Sequence, residues 1–173
     1  MKQVGTKLIC NCHKQERWIV KNHPRLGLLC QEGVDALKVA MKKEPNWERK
    51  CWEAFSKFIR LRDADKNGIC HCITCGFTNH WSKMDCGHGI PRQYKPTKFS
   101  EKNNHAQCKR CNGFEGGKRE VYAAEVDKRY GAGTWAKLEI QSKASYKKSD
   151  VNFKIMTMHY TQEFEKLKLK LVA

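Results

Sequence analysis

Long apolar runs are missing from this 173-residue chain. No stretch of about 18 apolar residues occurs, which excludes a transmembrane helix. The opening MKQVGTKLICNCHKQ has no long apolar segment either, so a secretory signal is not expected. Internal repeats and low-complexity tracts are absent. Acidic side chains are few, 18 Asp+Glu against 34 Lys+Arg, for a formal net charge of +16. A hydrophobic content of 40% supports a core, though a modest one.

The basic residues are spread along the whole chain instead of being gathered in a tail. Such a surface attracts polyanions through sequence-independent phosphate neutralisation, so nucleic acid is the expected partner and a membrane is not. The ten cysteines would suit a secreted disulfide scaffold by number alone. With nothing pointing to secretion, a soluble cytoplasmic protein is the expectation, and paired cysteines there read as zinc ligands.

Three segments are expected. Residues 1–45 hold Cys10, Cys12, His13, His23 and Cys30 and lead into a helical stretch. Cys10, Cys12, His23 and Cys30 are candidates for a second zinc site, with His13 able to replace one of them; free thiols in an ordinary appendage are the other reading. Residues 46–135 form the chemical centre with a leading helix. Asn46 is a candidate cap, and Trp47, Cys51, Phe55, Phe58, Ile59 and Arg62 follow at helical spacing, until DADKNG at 63–68 ends the helix. Residues 70–118 should be short strands and loops. Residues 119–131 read as a helix closed by Gly131, and a short helix follows with Thr134 as a fair N-cap. Residues 136–173 are a helical extension. Its last helix, starting near Ser149 or Asp150, spaces Phe153, Met156, Tyr160, Phe164, Leu167 and Leu171 as one stripe, either core or a dimer seam.

Two Cys-x-x-Cys pairs, Cys72/Cys75 and Cys108/Cys111, supply four soft thiolates, which suits tetrahedral Zn²⁺. Four protein ligands leave no place for water or substrate, so this zinc is structural. The 32 residues between the pairs must carry structure of their own, such as a hairpin. Within them lies MDCGHGIPR, whose His88 could be a metal ligand, a catalytic base or a structural turn histidine. Four thiolates already fill the zinc shell, which favours base over zinc ligand. His71, beside Cys72, could compete for zinc but is not needed. His105 could hydrogen-bond the hairpin or approach a phosphate.

A histidine on a strand, an asparagine ahead of a Cys-x-x-Cys and a polar residue just after it resemble the HNH, or His-Me finger, nuclease motif, here as His88, Asn103 and Asn112, with Pro91 also matching. Asn in the third place resembles phage Holliday-junction resolvases of that class. More specifically, FSKFIRLRDAD, CITCG, MDCGHGIPR and FSEKNNHAQCKRCN resemble the NinG family of lambdoid phage and prophage recombination proteins, also called Rap, over roughly residues 52 to 135. Larger members have two spaced Cys pairs near the N-terminus, where this chain has Cys10, Cys12 and a lone Cys30.

The resemblance implies an α+β protein with a zinc-pinned ββα (His-Me finger, treble-clef-like) core and flanking helices. It implies a metal-dependent endodeoxyribonuclease specific for branched DNA such as Holliday junctions and D-loops, working in the cytoplasm of a bacterial host. His88 would be the base, Asn112 a ligand of a catalytic Mg²⁺ or Mn²⁺, and Asn103 a brace for the hairpin. HNH sequences commonly place Asp immediately before the histidine, where this chain has Gly87. Asp85 shares the Gly87 face of the strand, and the missing side chain would leave it room to reach the ion; pairing with a basic neighbour is the alternative. Arg92, Lys95, Lys98, Lys109, Arg110, Lys118 and Arg119 are candidate phosphate contacts on double-stranded and branched DNA. A homodimer would match the two strands of a junction. A less selective or site-specific HNH nuclease and a catalytically silent zinc DNA-binding module are the competing readings.

Overall fold

In the computed structural model the described residues are 45–172 together with three short strands before them. Those strands are β1 (Leu8–Ile9), β2 (Glu16–Ile19) and β3 (Leu28–Cys30), an antiparallel sheet in the order β1-β2-β3. Leu8 pairs with Arg17, and Trp18 with Leu29. Cys10, Cys12, His13 and His23 lie outside the described residues, as does the helical reading of residues 32–44. The chain divides between Pro45 and Asn46.

The second unit opens with α1 (Trp47–Arg62). Asn46 caps it as the sequence suggested: its Oδ1 accepts the Arg49 N–H at 2.9 Å, and Glu48 sits in the first turn, where the helix dipole favours a carboxylate. The apolar stripe is buried through Cys51, Phe55, Phe58 and Ile59. It faces α5 (Asp150–Val172). Tyr160 meets Phe55 edge-on at 4.8 Å between ring centres and Phe58 at 5.3 Å, while Phe153 lies 5.8 Å from Phe99. The α5 stripe is therefore core within the chain. The seam reading for that stripe is corrected: Phe153 and Tyr160 are buried against α1, with Met156, Phe164 and Leu167 partly buried at the same cluster.

Two hairpins follow α1. β4 (Ile69–His71) pairs antiparallel with β5 (Thr78–His80), Cys70 opposite Asn79. β6 (Asp85–His88) pairs antiparallel with β7 (Asn104–Gln107), Asp85 opposite Gln107 and His88 opposite Asn104. The connection between β6 and β7 carries the short α2 (Lys95–Lys98) and a 3₁₀ turn at Glu101–Asn103. A π-helical turn at Arg110–Phe114 leads into α3 (Arg119–Tyr130), which ends at Gly131 with φ +96°, and α4 (Thr134–Ser142) follows. Gly133 stands at the N-cap of α4, not Thr134, whose hydroxyl instead donates back to the Gly131 and Tyr130 carbonyls at 2.7 and 3.2 Å. Asp127 of α3 accepts the Trp135 N–H at 2.7 Å, so a neighbouring helix supplies the cap that the local sequence lacks.

Among the described residues the apolar interior is split into three small clusters. One joins α1, α5, Cys86 and Phe99. A second surrounds the knuckle cysteines with Cys70, Met84 and Ala106. The third packs Ile73 and Ile90 under Tyr122, Val126 and Leu138. Cores this small leave the centre of the unit dependent on other ties.

Candidate metal centre and the hairpin beside it

The turn after β4 carries Cys72 and Cys75, and the turn after β7 carries Cys108 and Cys111. Their sulfurs all lie within 4.8 Å of one another. The Cys75 and Cys108 sulfurs are 3.7 Å apart, close to the edge of about 3.8 Å expected for a tetrahedron with Zn–S bonds of about 2.3 Å. Backbone N–H groups point at the sulfurs: Cys108 donates to Cys72 at 3.3 Å and Cys111 to Cys108 at 3.4 Å. Burial pushes the Cys72 thiol up, but the hydrogen bonds from Cys108 and Thr74 outweigh it and bring it down to about 6, while the other three thiols of the group are pushed up. The four cysteines are thus positioned to hold a metal ion, consistent with structural zinc. His71 is exposed on β4 and is not in the group. Cys51, Cys70 and Cys86 are also buried, but burial drives their thiols up, to about 11, 12 and 12, so they act as small apolar residues.

The second knuckle also places Asn112. Its N–H closes the turn on the Cys108 carbonyl at 2.9 Å, and its side-chain Nδ2 donates to Asp85 Oδ2 at 3.1 Å. Residues 27 apart in sequence thereby join the start of β6 to the turn after β7.

His88 leaves β6 on the other face, in step with Cys86. Its ring stacks on Trp52 of α1 at 4.7 Å with 22° between the planes, and its Nε2 is buried with no hydrogen-bond partner among the described residues. Arg92 lies over the same indole at 5.7 Å. Burial, with Arg92 and Lys98 nearby, lowers the His88 pKa to about 3, so the imidazole is neutral at physiological pH. Trp52 was not singled out in the sequence; its place one residue after Cys51, beside the stripe, was the available signal.

The two glycines around His88 are required by close approach. A Cβ at Gly87 would lie 2.3 Å from Gln107 Oε1 and 2.8 Å from Gln107 Cβ; one at Gly89 would lie 2.6 Å from Trp135 and 2.8 Å from Tyr122. The space that Gly87 leaves is filled by Gln107 and is not open to Asp85, which corrects the reason given for the glycine. Gln107 itself is held by its Nε2, which donates to the Gly117 carbonyl at 2.9 Å and to Thr74 Oγ1 at 3.1 Å.

Asn103 is fully buried. Its Oδ1 accepts the Ile90 N–H at 2.7 Å, and its Nδ2 donates to the Ile90 and Thr97 carbonyls at 3.0 and 3.2 Å, tying the chain just after His88 to the chain just before β7. His105 is buried too, its Nδ1 3.1 Å from Asp63 Oδ2 and 3.0 Å from Arg62 Nη2. It braces β7 against the end of α1 and is not on a surface that phosphate could reach. Among the basic candidates, Lys95 and Lys98 both hold Glu48, Lys98 at 2.7 Å. Arg110 and Lys118 both hold Glu115, at 2.7 and 2.8 Å. Lys118 above all lowers that carboxyl to about 2, opposed by burial and helped by Arg110.

Several phage proteins are similar to this chain. It is 35% identical over 95 residues to protein ninG of Escherichia phage lambda, covering 54% of this chain and 44% of the relative. The same identity holds for protein ninG of Escherichia phage 933W, covering 54% and 45%. Protein ninG of Salmonella phage P22 is 32% identical over 107 residues, covering 61% and 50%. The chain spans about half the length of the curated relatives it matches. No solved structure matches it. No helix among the described residues is long and apolar enough to cross a membrane. A family model described as bacteriophage lambda NinG protein matches residues 31–170, and the chain therefore belongs to the NinG family.

Proposed function

We propose that this protein is a metal-dependent DNA endonuclease of the HNH, or His-Me finger, type, acting on branched DNA such as Holliday junctions and D-loops in the host cytoplasm. The observation that carries the reading is the meeting of Asp85 with Asn112 at 3.1 Å, on the strand that ends in His88. Zinc binding needs none of these three residues. Asp85 offers a carboxylate and Asn112 an amide oxygen, a hard donor set that fits Mg²⁺ or Mn²⁺. Bound there, such an ion would supply charge neutralisation on a phosphodiester.

The chain's own residues would divide the remaining work. Among the described residues, β6 has a strand partner only on its β7 side. A phosphodiester laid along its other edge would meet His88 from one face and the Asp85–Asn112 pair from the other. His88, neutral, would accept the proton from the attacking water as the P–O bond to the leaving group breaks. The incoming phosphate would also offset the positive field of Arg92 and Lys98, which favours a protonated His88 as the reaction advances. Asn103 would hold the hairpin so that His88 keeps its place. Arg92, Lys95, Lys109, Arg110 and Lys118 would bind phosphates without reading bases, which suits recognition by shape. Two symmetric cuts at a junction would call for two copies of the chain, joined elsewhere than at the buried α5 stripe.

Cleavage of a four-way junction and of a linear duplex of equal length, each with and without Mg²⁺, tests the reading. Mg²⁺-dependent cutting of the junction in preference to the duplex is expected. Equal cutting of both would indicate a less selective HNH nuclease, and binding without cutting a silent zinc module.

A further inference from the structure

Beside the zinc site lies a cavity of about 430 Å³, within the size range of small-molecule pockets. Cys75 and Cys108 of the four-cysteine group form part of its wall, and Phe77, Asn79, Lys83, Met84, Lys109 and Arg110 line the rest. It combines three features. Phe77 is 53% exposed, an aromatic face offered to solvent next to a metal knuckle that fixes its backbone; the Phe77 carbonyl accepts the Cys72 N–H at 2.8 Å. Lys83, Lys109 and Arg110 surround it with positive charge, Arg110 partly spent on Glu115. Asn79, also exposed, adds an amide with two N–H donors.

The position matters as much as the lining. Lys83 and Met84 lead directly into Asp85, and Lys109 and Arg110 into Asn112. This part of the lining thus lies within three residues of Asp85 or of Asn112 along the two segments that carry that pair.

We infer that this cavity is a binding site for one unpaired nucleobase of single-stranded DNA, stacked on Phe77, with its flanking phosphates on Lys83 and Lys109. Stacking on an aromatic ring is available to every base, whereas a base inside a duplex keeps its faces covered by its neighbours. A site of this kind rewards DNA with an unstacked nucleotide at a branch and gives duplex nothing beyond phosphate contacts. The inference rests on the proposed function for its meaning, supplying the structural basis for preferring branches, but it is tested apart from cleavage.

The experiment measures binding, without divalent ion, of a fluorescent single-stranded oligodeoxythymidylate and of a duplex of equal length to the whole protein and to Phe77→Ala and Phe77→Trp. Phe77→Ala is expected to weaken single-strand binding by roughly fivefold to a hundredfold, the usual range for one stacked base, with duplex affinity changed less than about twofold because phosphate contacts dominate it. Phe77→Trp should restore single-strand binding, which a merely structural role for Phe77 would not predict. Zinc content and melting temperature, unchanged in both variants, show that the knuckle is intact. Equal losses on the two DNAs, no loss, or no single-strand binding by the parent protein would overturn the inference. A protein that binds single strands through Phe77 yet cuts nothing in Mg²⁺ would uphold the base site while refuting the nuclease reading.

Discussion

His88 sits where three demands meet: a ring stacked on Trp52, a buried Nε2 without a hydrogen-bond partner among the described residues, and a glycine on either side that lets the hairpin press against its neighbours. If His88 is the base, His88→Ala should leave zinc content and DNA affinity nearly intact and slow cleavage by about a hundredfold to ten-thousandfold. Asp85→Ala and Asn112→Ala should instead be partly rescued by raised Mg²⁺ or Mn²⁺. A metal titration that rescues His88→Ala and leaves Asp85→Ala unchanged would reverse the roles. Gly87→Ala tests the packing. The added methyl would run into Cβ and Oε1 of Gln107, so the whole side chain must move and not only its tip. A loss of about 1–3 kcal/mol is expected from overpacking, read as a lowered melting temperature. Acid gives a third test. The His88 pKa is about 3 in the folded chain and 6.5 ordinarily, so between those values the unfolded chain takes up a proton that the folded chain refuses. Stability is then complete above about pH 6.5 and falls with acidification, by up to about 1.4 kcal/mol per pH unit from this group. His105, lowered by burial, acts in the same direction. His88→Phe keeps a ring on Trp52 without the proton and should flatten the melting profile between pH 7 and pH 4.

At the scale of elements, α1 is the part of the fold most governed by local rules. Its cap, its acidic first turn, its apolar spacing and its end at Asp63 are each set by residues a few positions apart. Asn46→Ala removes the acceptor of the Arg49 N–H and should cost about 1 kcal/mol, measurable as a shift of the denaturation midpoint without a change of slope. α4 follows the opposite logic. Thr134 looked like a cap because Ser, Thr, Asp and Asn usually serve there, yet its hydroxyl turns back onto α3 and Asp127 caps the helix from across the turn. A partner eight residues away on another helix is invisible to a rule written for the neighbouring residues.

For the molecule as a whole, the three small apolar clusters make the four-cysteine site a principal tie between the β4–β5 and β6–β7 hairpins. Apparent binding free energies of structural zinc run at about 10–16 kcal/mol, as large as the whole stability of a domain at about 5–15 kcal/mol. Cys108→Ser, or removal of zinc by a chelator, should therefore unfold the centre of the unit and not merely slow a reaction, seen as loss of the cooperative melting transition. Elemental analysis that finds no zinc in freshly purified, folded protein would sink this account.

Short-range spacing and composition carry everything that could be read from the order of residues. The paired knuckles, the run of α1, the closure of α3 at Gly131 and the excess of positive charge could be read directly, because each depends on residues a few positions apart or on composition. Motifs carried the resemblance to the NinG family, and membership of that family is what the family match then established. Tertiary structure alone decided the rest. The α5 stripe reads the same whether it meets α1 or a second chain, since periodicity shows that a face is apolar but not what covers it. MDCGHGIPR shows two glycines but not that Gln107, Tyr122 and Trp135 occupy the space their side chains would need. Asp85 and Asn112 meet, and His88 finds Trp52, across 27 and 36 residues of chain. Contacts at that separation are set by how hairpins and helices close on one another, a property of packing in space that no local pattern contains.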